Sequence, residues 1–518
     1  MESTTSCSSR AGSVAGLRDA KRTLLLAVAA VAIASIGLGL AGCEVGPNYR
    51  PPEQKATPTW VAPPTTQASV TVQQPLQVDQ WWTTFNDPTL DSLIRRAAVQ
   101  NLDLLSAAER IRQARALLNG TSGTFWPMLN ANGSYTRSFA GGKGSSVVVT
   151  GTNGNTATLT SGPHARDFFQ SGFDATWELD VFGGVRRSIE AAGYQVDFAI
   201  EDRRDVLITV YGEVASDYIA LRGFQQEIVI AQENLAIQIH SLGVTQKKVV
   251  GGTTTALDVA NAQAQVATTR SEISSFESSA QQEIYALSVL LGQEPLTLQA
   301  ELSPAGEIPR PPSIVAVGIP SELLRRRPDI RRAERQLAST TAQIGVATAQ
   351  LFPRFTFNGT LTVGGNNFSS LGSWGHPAWS FGPAFSWPIF DAGQIWSNIE
   401  VQNSLQRQAL LSYRSTVLTA FQDVETQLTA YALEQQRRVA LNDAVDANKR
   451  AVALAKQRYD VGQTDFLNLL VAQQSLFGSQ DSLVQSDRNI ATDLVALYKA
   501  WGGGWQFDDP AATQPTRQ

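Results

Sequence analysis

The run Phe169-Gln-Ser-Gly-Phe-Asp-Ala-Thr-Trp-Glu-Leu-Asp-Val181 decides the fold. Successive side chains of a strand point to opposite sides, so Phe169, Phe173, Ala175, Trp177, Leu179 and Val181 share one face and Gln170, Asp174, Thr176, Glu178 and Asp180 the other. Three more runs repeat the pattern. Leu129, Ala131 and Tyr135 alternate with Asn130, Asn132, Ser134 and Thr136. Phe355, Phe357, Leu361 and Val363 alternate with Arg354, Thr356, Asn358, Thr360 and Thr362. Trp379, Phe381, Phe385, Trp387 and Ile389 alternate with Ser380, Gly382, Ala384 and Ser386. A soluble sandwich with one buried face would also alternate. Each run, however, has about 10–13 residues, the length that crosses a bilayer at a tilt, and its apolar face is heavy in aromatics. Aromatics outward and polar or small residues inward suit a water-filled barrel in lipid, where only closure satisfies the backbone. Four strands cannot close, because about eight is the smallest number that does. The chain must therefore borrow strands from copies of itself. Asp174, Glu178 and Asp180 are expected to make the lumen polar and somewhat acidic.

Between Val185 and Val249 there is neither a proline nor a turn cluster, and Leu207, Val214, Leu221, Ile228, Leu235 and Leu242 recur at a seven-residue step. Val210, Tyr211, Tyr218 and Ile239 are placed in the same stripe, which reads as a coiled-coil seam. Such a helix is roughly 100 Å long against a bilayer core of about 30 Å, and it is too polar for lipid, so it projects into water. The step returns in Val417, Val424, Tyr431, Val445, Val452 and Tyr459, broken only by Arg438.

That return belongs to a duplication of about 210 residues. Phe125-Trp126-Pro127 is echoed by Leu351-Phe352-Pro353, Asp180-Val181-Phe182-Gly183-Gly184 by Pro388-Ile389-Phe390-Asp391-Ala392-Gly393, and Ser188-Ile189-Glu190 by Asn398-Ile399-Glu400. Val250-Gly251-Gly252-Thr253 is matched to Val461-Gly462-Gln463-Thr464, and Ala262-Gln263 to Ala472-Gln473. Each half reads helix, two strands, very long helix, tight turn, helix. The proline-rich stretch from Gly292 to Pro320 joins them.

The first residues are an address. Arg10, Arg18, Lys21 and Arg22 precede an apolar run from Leu24 to Leu40, which ends in Leu40-Ala41-Gly42-Cys43. A basic region, an apolar core and small residues at the cleavage point make a secretory signal, and the small residues before Cys43 look like a bacterial lipobox whose cysteine is acylated. Glu44 after the cysteine favours outer-membrane sorting, and a multiply acylated N-terminus holds a bilayer firmly. From there to about Gln80 the Pro-, Thr- and Gln-rich chain reads as an extended tether without a core of its own. The expected organisation is a signal peptide over 1–42, a tether over 43–85, a first repeat over 86–292, a linker over 293–319, a second repeat over 320–501 and a flexible tail over 502–518.

Composition narrows the rest. Across 518 residues the charged fraction is 17% and the formal net charge −5, which gives no electrostatic footprint for nucleic acid. Three histidines and two cysteines, with neither HExxH nor CxxC, leave little for a metal centre, and no cofactor is expected beyond the lipid on Cys43. No serine, histidine and carboxylate set suggests a nucleophile, so no enzyme is expected. Arg325–Arg327, Arg331 and Arg332 are interleaved with Asp329 and Glu334, and Pro328 suits a helix start, so this cluster reads as structural.

The chain closely resembles the outer-membrane factors of the TolC type, in the lipoprotein branch serving resistance-nodulation-division efflux pumps (NodT-like efflux lipoproteins). The resemblance is carried by Cys43-Glu-Val-Gly-Pro-Asn-Tyr49, Trp81-Trp82 with Phe85 and Asp87-Pro88, Leu324-Arg-Arg-Arg-Pro-Asp-Ile-Arg-Arg-Ala-Glu334, Phe352-Pro353, Phe390-Asp-Ala-Gly393 and Arg458-Tyr459-Asp-Val-Gly462. It covers essentially Cys43 to Trp501. It implies an α+β membrane protein in the outer membrane: a homotrimer in which four strands per chain complete a twelve-stranded transmembrane β-barrel, with a periplasmic α-helical coiled-coil barrel beneath. The implied partners are a periplasmic adaptor and an inner-membrane transporter. The two helix–helix turns would then lie at the periplasmic tip, where Gly251, Gly252 and Gly462 mark the adaptor-docking hairpins. Tyr459, Thr464, Asp465, Asn468 and Val471 would form the gate, with Tyr459 helping to hold it closed. Members of the family often carry carboxylates where this chain has Asn468 or Val471, leaving Asp465 and, in the first repeat, Asp258 as the nearby acids.

The reading is a passive exit duct of a tripartite efflux pump. Its rivals are the outlet of a type I protein secretion system and a structural envelope lipoprotein without a pore. A polar inner strand face has no use in the last.

Overall fold

The computed structural model describes residues 44–53, 60, 69–71, 79–140, 146–150, 156–160, 164–312, 315–317, 320–372 and 377–506. The signal sequence, Cys43 and residues 507–518 lie outside the described residues. In chain order the elements are β1 (Ser69–Thr71), a 3-10 turn (Trp81–Phe85), α1 (Pro88–Gln100), α2 (Leu102–Gly123), β2 (Met128–Ala140), β3 (Ser146–Thr150), β4 (Thr156–Thr160), β5 (His164–Leu179), α3 (Gly184–Val250) and α4 (Ala256–Leu290). There follow α5 (Gln299–Leu302), β6 (Val315–Val317), α6 (Pro320–Arg326), α7 (Pro328–Ala349), β7 (Arg354–Gly365), β8 (Ala378–Ser386), α8 (Gln394–Asp460) and α9 (Phe466–Ala500). Among the described residues no helix is long and apolar enough to cross a membrane.

The duplication is exact in length where it matters. Both long helices have 67 residues and both return helices 35. The turns between them show where the repeats align. Gly251, Gly252 and Thr253 donate their backbone N–H groups to Lys247, Val249 and Lys248, just as Val461, Gly462 and Gln463 donate to Gln457, Tyr459 and Arg458. Gly252 (φ 69°) and Gly462 (φ 76°) are the left-handed residues that end the helices. Gly252 is therefore the partner of Gly462, and the match of Gly251 to Gly462 drawn from sequence is one residue out of register. The string Gly251-Gly252 offered two glycines for one left-handed position, and backbone conformation, not identity, decides between them.

The chain forms two compact units. One comprises Met1–Tyr49, Ala116–Gly193 and Ala338–Gln406, and it contains an antiparallel sheet in the order β2-β5-β7-β8. Register aligns the four alternating runs. Ala131 lies opposite Phe173, Phe173 opposite Leu361 and Leu361 opposite Trp379, while Asn130, Asp174, Thr360 and Ser380 line up on the other face. A slip of one residue in any pair would mix the two faces. The first repeat also carries a β3–β4 ribbon in the connection between β2 and β5, with no counterpart among the described residues between β7 and β8. The strands end earlier than the alternation implies. β5 stops at Leu179 and β8 at Ser386, so Asp180, Val181, Trp387 and Ile389 lie beyond them. The next segment must turn into a helix, and Asp180 and Asp391 supply its first acceptors: Asp180 for the N–H groups of Val185 and Arg186, Asp391 for those of Gly393 and Ile395.

The other unit comprises Arg50–Arg115, Tyr194–Leu337 and Arg407–Gln518. Its core gathers Trp81, Trp82, Leu90, Leu93, Tyr211, Val214, Tyr218, Leu287, Val424 and Leu494. The described residues of the N-terminal segment from Trp60 onward pack on this unit. Trp60 makes edge contacts with Trp501 and Phe421, β1 pairs in parallel with β6, and Trp81 stacks on Tyr498 at 5.4 Å. The arginine cluster is structural: Arg327 pairs with Asp329 and Asp423, Arg331 with Glu201, and Arg332 with Asp202 and Asp205.

The heptad stripe of α3 is buried through Leu207, Val214 and Leu221 but then shifts. Towards the turn the buried line is Ala231, Asn234, Gln238, Ser241 and Thr245, Ile228 and Leu242 are half-buried, and Ile239, expected in the stripe, is exposed. An α-helix drifts about 20° per heptad against a strict seven-residue repeat, which carries the stripe off the contact after two or three heptads. In the second repeat Val417, Val424, Tyr431, Val445 and Tyr459 stay buried.

Candidate functional site

Two places gather the residues singled out in the sequence. The first is the polar face of the sheet. Asp174, at the centre of β5, accepts from Asn130 Nδ2 at 3.2 Å and from Asn132 Nδ2, both across the β2 pair. Glu178 lies 3.5 Å from Arg354 of β7, and the Thr360 and Ser380 hydroxyls meet at 2.9 Å. Asp180, expected on this face, instead caps α3 and pairs with Arg186 at 3.2 Å, so the strand face carries two of the three expected acids. The opposite face leaves Leu129, Tyr135, Trp379, Phe381 and Phe385 exposed. Its apolar run gives way to an Arg137–Asp167 pair at 3.7 Å, with the Tyr135 hydroxyl donating to Asp167. At the other end Trp177 donates its indole N–H to Phe125 O at 2.9 Å, and Trp387 donates to Leu351 O at 3.0 Å. Tryptophans with the ring in an apolar layer and the N–H satisfied at a strand end are the residues that sit at a bilayer interface.

The second place is the pair of helix–helix turns in the other unit. Tyr459 is 3% exposed and its hydroxyl meets that of Thr245 at 3.0 Å. The Lys248 ammonium lies 3.9 Å from the Tyr459 ring centre and donates to its carbonyl oxygen. Phe466 closes on the same ring edge-on at 5.6 Å, and Ala262, Leu469 and Leu470 complete the cluster. The approach to the turns is held by neutral hydrogen bonds: Asn234 to Gln480 at 3.0 Å, and Gln473 to Ser241 at 3.1 Å. Asn468 and Val471 are exposed one turn apart on α9, and Asn468 Nδ2 donates to Thr464 Oγ1 at 2.9 Å, in the bend that precedes the helix, so the three residues expected on one helix face are instead two on the helix and one before its N-cap. The two acids differ. Asp258 accepts from Thr254 Oγ1 at 2.5 Å and closes a capping box with Thr255, and these hydrogen bonds, Thr254's first, hold its carboxyl below the usual range. Asp465 is the N-cap of α9, is exposed, and makes no side-chain cap hydrogen bond. Gly251, Gly252 and Gly462 sit at the two helix–helix turns.

Sequence reasoning missed Thr245 and Lys248. Their signal was the small polar line Asn234, Gln238, Ser241, Thr245 at steps of four, three and four, the spacing of a buried helix face. It also missed a half-buried acid further back along α3. Burial, with Glu283 and Glu213 nearby, pushes Asp217 up to about 7.

The family described as "Outer membrane efflux protein" matches residues 93–293 and 319–503. Nodulation protein T of Rhizobium leguminosarum bv. trifolii is 33% identical over 467 residues, covering 90% of this chain and 95% of that protein. The pyoverdine export outer membrane protein OpmQ of Pseudomonas aeruginosa is 33% identical over 83% of this chain and 88% of its own. The toluene efflux pump outer membrane protein TtgF of Pseudomonas putida is 30% identical over 93% and 97%. Among solved structures, the outer-membrane channel OprN superposes with a TM-score of 0.80 at 33% identity, over 90% of this chain and 100% of that one. CusC gives a TM-score of 0.73 at 26% identity.

Proposed function

The chain belongs to the outer membrane efflux protein family and is the outer-membrane channel of an efflux pump; we propose that it works as a passive, trimeric, lipid-anchored duct for small molecules. The observation that carries this reading is the register of the sheet, which gathers every alternating run into one apolar and one polar face while β2 and β8 remain edges within the chain. Long edges left unpaired in lipid would strand backbone donors and acceptors, so the neighbour of β8 is β2 of another copy. Three copies bring twelve strands, in keeping with the family resemblance, and Asp174 and Glu178 then face the lumen. The lipobox supports acylation at Cys43, and the Tyr459 cluster at the turns supports a gate there. Two of the relatives are named for export of pyoverdine and of toluene, which favours small molecules over secreted proteins as cargo. A periplasmic adaptor docking at the Gly251–Gly252 and Gly462 turns, and an inner-membrane transporter supplying the energy, complete the proposal.

Cysteine pairs test the closure. One cysteine on β2 and one on β8, oxidised in outer-membrane vesicles, should give covalent dimers and trimers and no larger species. A ladder that stops at dimer, or monomer alone, would overturn the trimeric barrel.

A further inference from the structure

The six residues behind the lipobox cysteine, Glu44-Val45-Gly46-Pro47-Asn48-Tyr49, belong to the same compact unit as the sheet. Val45 donates its N–H to the Phe182 carbonyl at 3.3 Å. Arg187, in the first turn of α3, is 2% exposed, and its guanidinium is committed to this segment. Its Nε donates to Val45 O at 3.2 Å and its Nη2 to Asn48 Oδ1 at 2.5 Å. Glu190 takes Nη1 at 2.7 Å, and the Glu44 carboxylate lies 3.5 Å from Nε. Glycines give the segment its room. Gly46 is left-handed at φ 91° and lies against Gly345, and a Cβ on Gly345 would meet Arg187 Cγ at 2.8 Å. Gly183, at φ 80°, lies where a Cβ would come within 2.9 Å of the Glu44 Cα.

A buried guanidinium must have its donors matched, and here they are matched by main chain and an amide from a segment about 140 positions away in sequence. A free tether needs no such seat. Its place in the fold is specific. Phe182 lies just beyond β5 and stacks on Phe352, which precedes β7, with ring centres 4.6 Å apart. This is the end of the sheet where the Trp177 and Trp387 indoles are held, the level of a bilayer interface.

We infer that this groove is the seat of the chain's own acylated N-terminus, and that Arg187 is the positioning residue that holds the lipid-bearing cysteine at the rim of the sheet. One peptide, about 3.8 Å between Cα atoms, separates Cys43 from Glu44. The acyl chains therefore enter the leaflet beside the apolar sheet face, and the anchor is part of the folded channel. The inference rests on the lipid-anchored reading above.

The test uses the full-length protein in outer-membrane vesicles, labelled in cells with a photoactivatable fatty acid, and follows both cross-linking and hydrogen exchange. In the parent, the lipid should cross-link to peptides at the strand ends, around Trp177–Arg187 and Trp387, and the 44–50 peptide should exchange as slowly as the start of α3. Arg187→Gln and Gly345→Ala should each raise exchange across 44–50 by at least tenfold and scatter the cross-links, with the acyl label on Cys43 and the protection of β5 unchanged. Gly345→Ala decides the matter if Arg187→Gln does not fold. Fast exchange in the parent, or unaltered protection and cross-links in the variants, overturns the seat. Failure of the parent to take up any fatty acid overturns lipid anchorage instead, and hydrogen exchange then still reports whether Arg187 holds the segment.

Discussion

The hydroxyls of Thr245 and Tyr459 meet at 3.0 Å in a buried hydrogen bond that ties the long helix of the first repeat to that of the second just before their turns. Thr245 Oγ1 also donates to the Ser241 carbonyl at 2.9 Å, so removing the tyrosine hydroxyl leaves the threonine satisfied. Tyr459→Phe should therefore remove about 1 kcal/mol of helix–helix cohesion without unfolding the turns. In planar bilayers the variant should open several-fold more often than the parent. Lys248→Met, which also removes the ammonium from the ring face and the carbonyl, should have the larger effect. Identical gating in the parent and both variants would show that closure does not pass through this contact.

The two acids on the polar strand face, which the proposed barrel turns to its lumen, are not equivalent. Asp174 is held by amides, which leave its charge in place, whereas Glu178 faces Arg354 at 3.5 Å. Asp174→Asn should shift reversal potential away from cation preference more than Glu178→Gln does. Arg354→Gln should strengthen cation preference by leaving Glu178 uncompensated. Equal anion and cation permeability in the parent would refute an acidic lumen.

How much of this was legible beforehand follows from the range of each interaction. Period-two alternation and the heptad step are local patterns, and they located four strands and both long helices because each is set by neighbours only a few residues apart. Asp180 was misplaced because alternation carries no mark of where a strand ends; its two N–H partners belong to the next helix. Ile239 fits the seven-residue step on paper, but helical drift takes it out of the contact. The seat around Arg187 was invisible for another reason. Its partners Val45 and Asn48 are about 140 residues distant, and a Pro-rich composition says only that a segment has no core of its own, not that it lacks one to dock against.

Arg327 and Asn101 hold equivalent places before the paired helices α7 and α2. Asn101 Nδ2 donates to Leu290 O at 2.8 Å, and Arg327 Nη1 to Ala500 O at 3.0 Å, each the final residue of a return helix. Arg327 also bridges Asp329 at 2.7 Å and Asp423 at 3.0 Å. Arg327→Ala would remove the guanidinium from these partly solvated carboxylates and strand a buried carbonyl, a loss of about 2–3 kcal/mol. Asn101→Ala should cost about 1–2 kcal/mol, and exposed Arg325→Ala close to nothing. Denaturant unfolding of the three variants orders them, and an Arg327→Ala midpoint equal to that of Arg325→Ala would dismiss the bridge.

Asp217 gives the helical unit a pH dependence with a defined sign. Its folded pKa, raised to about 7 by burial and then by Glu283 and Glu213, lies above that of an unfolded aspartate. The folded state therefore binds the extra proton between about pH 4 and 7, and this contribution to stability is full below about pH 4 and lost as pH rises through 7. Asp217→Asn keeps the group neutral throughout. It should stabilise the protein at pH 8 by about 1–2 kcal/mol, allowing for partial solvation, and leave it unchanged at pH 4. Thermal unfolding at the two pH values measures the difference, and a gain of equal size at both would place the effect elsewhere.

The last expectation concerns the chemistry of the tip. Asp258 is tied into its capping box, whereas Asp465 is exposed with no cap hydrogen bond, so of these two acids only Asp465 presents an uncommitted carboxylate at a turn. Asn468 and Val471 lie one turn apart on one exposed face of α9, and the hydrogen bond from Asn468 to Thr464, in the bend before the helix, is neutral. In the proposed gate, closure rests on packing around Tyr459 and on neutral contacts, and an apolar constriction can exclude ions by dewetting. Val471→Asp would add a carboxylate to that face in every copy, creating a ring where like charges repel and a divalent cation binds. It should make the closed channel leakier in chelator and should introduce block by divalent cations added from the periplasmic side. The parent should show weak block that falls further in Asp465→Asn. Strong block in the parent that survives Asp465→Asn would mean that other acids line the constriction, and the neutral gate would have to be abandoned.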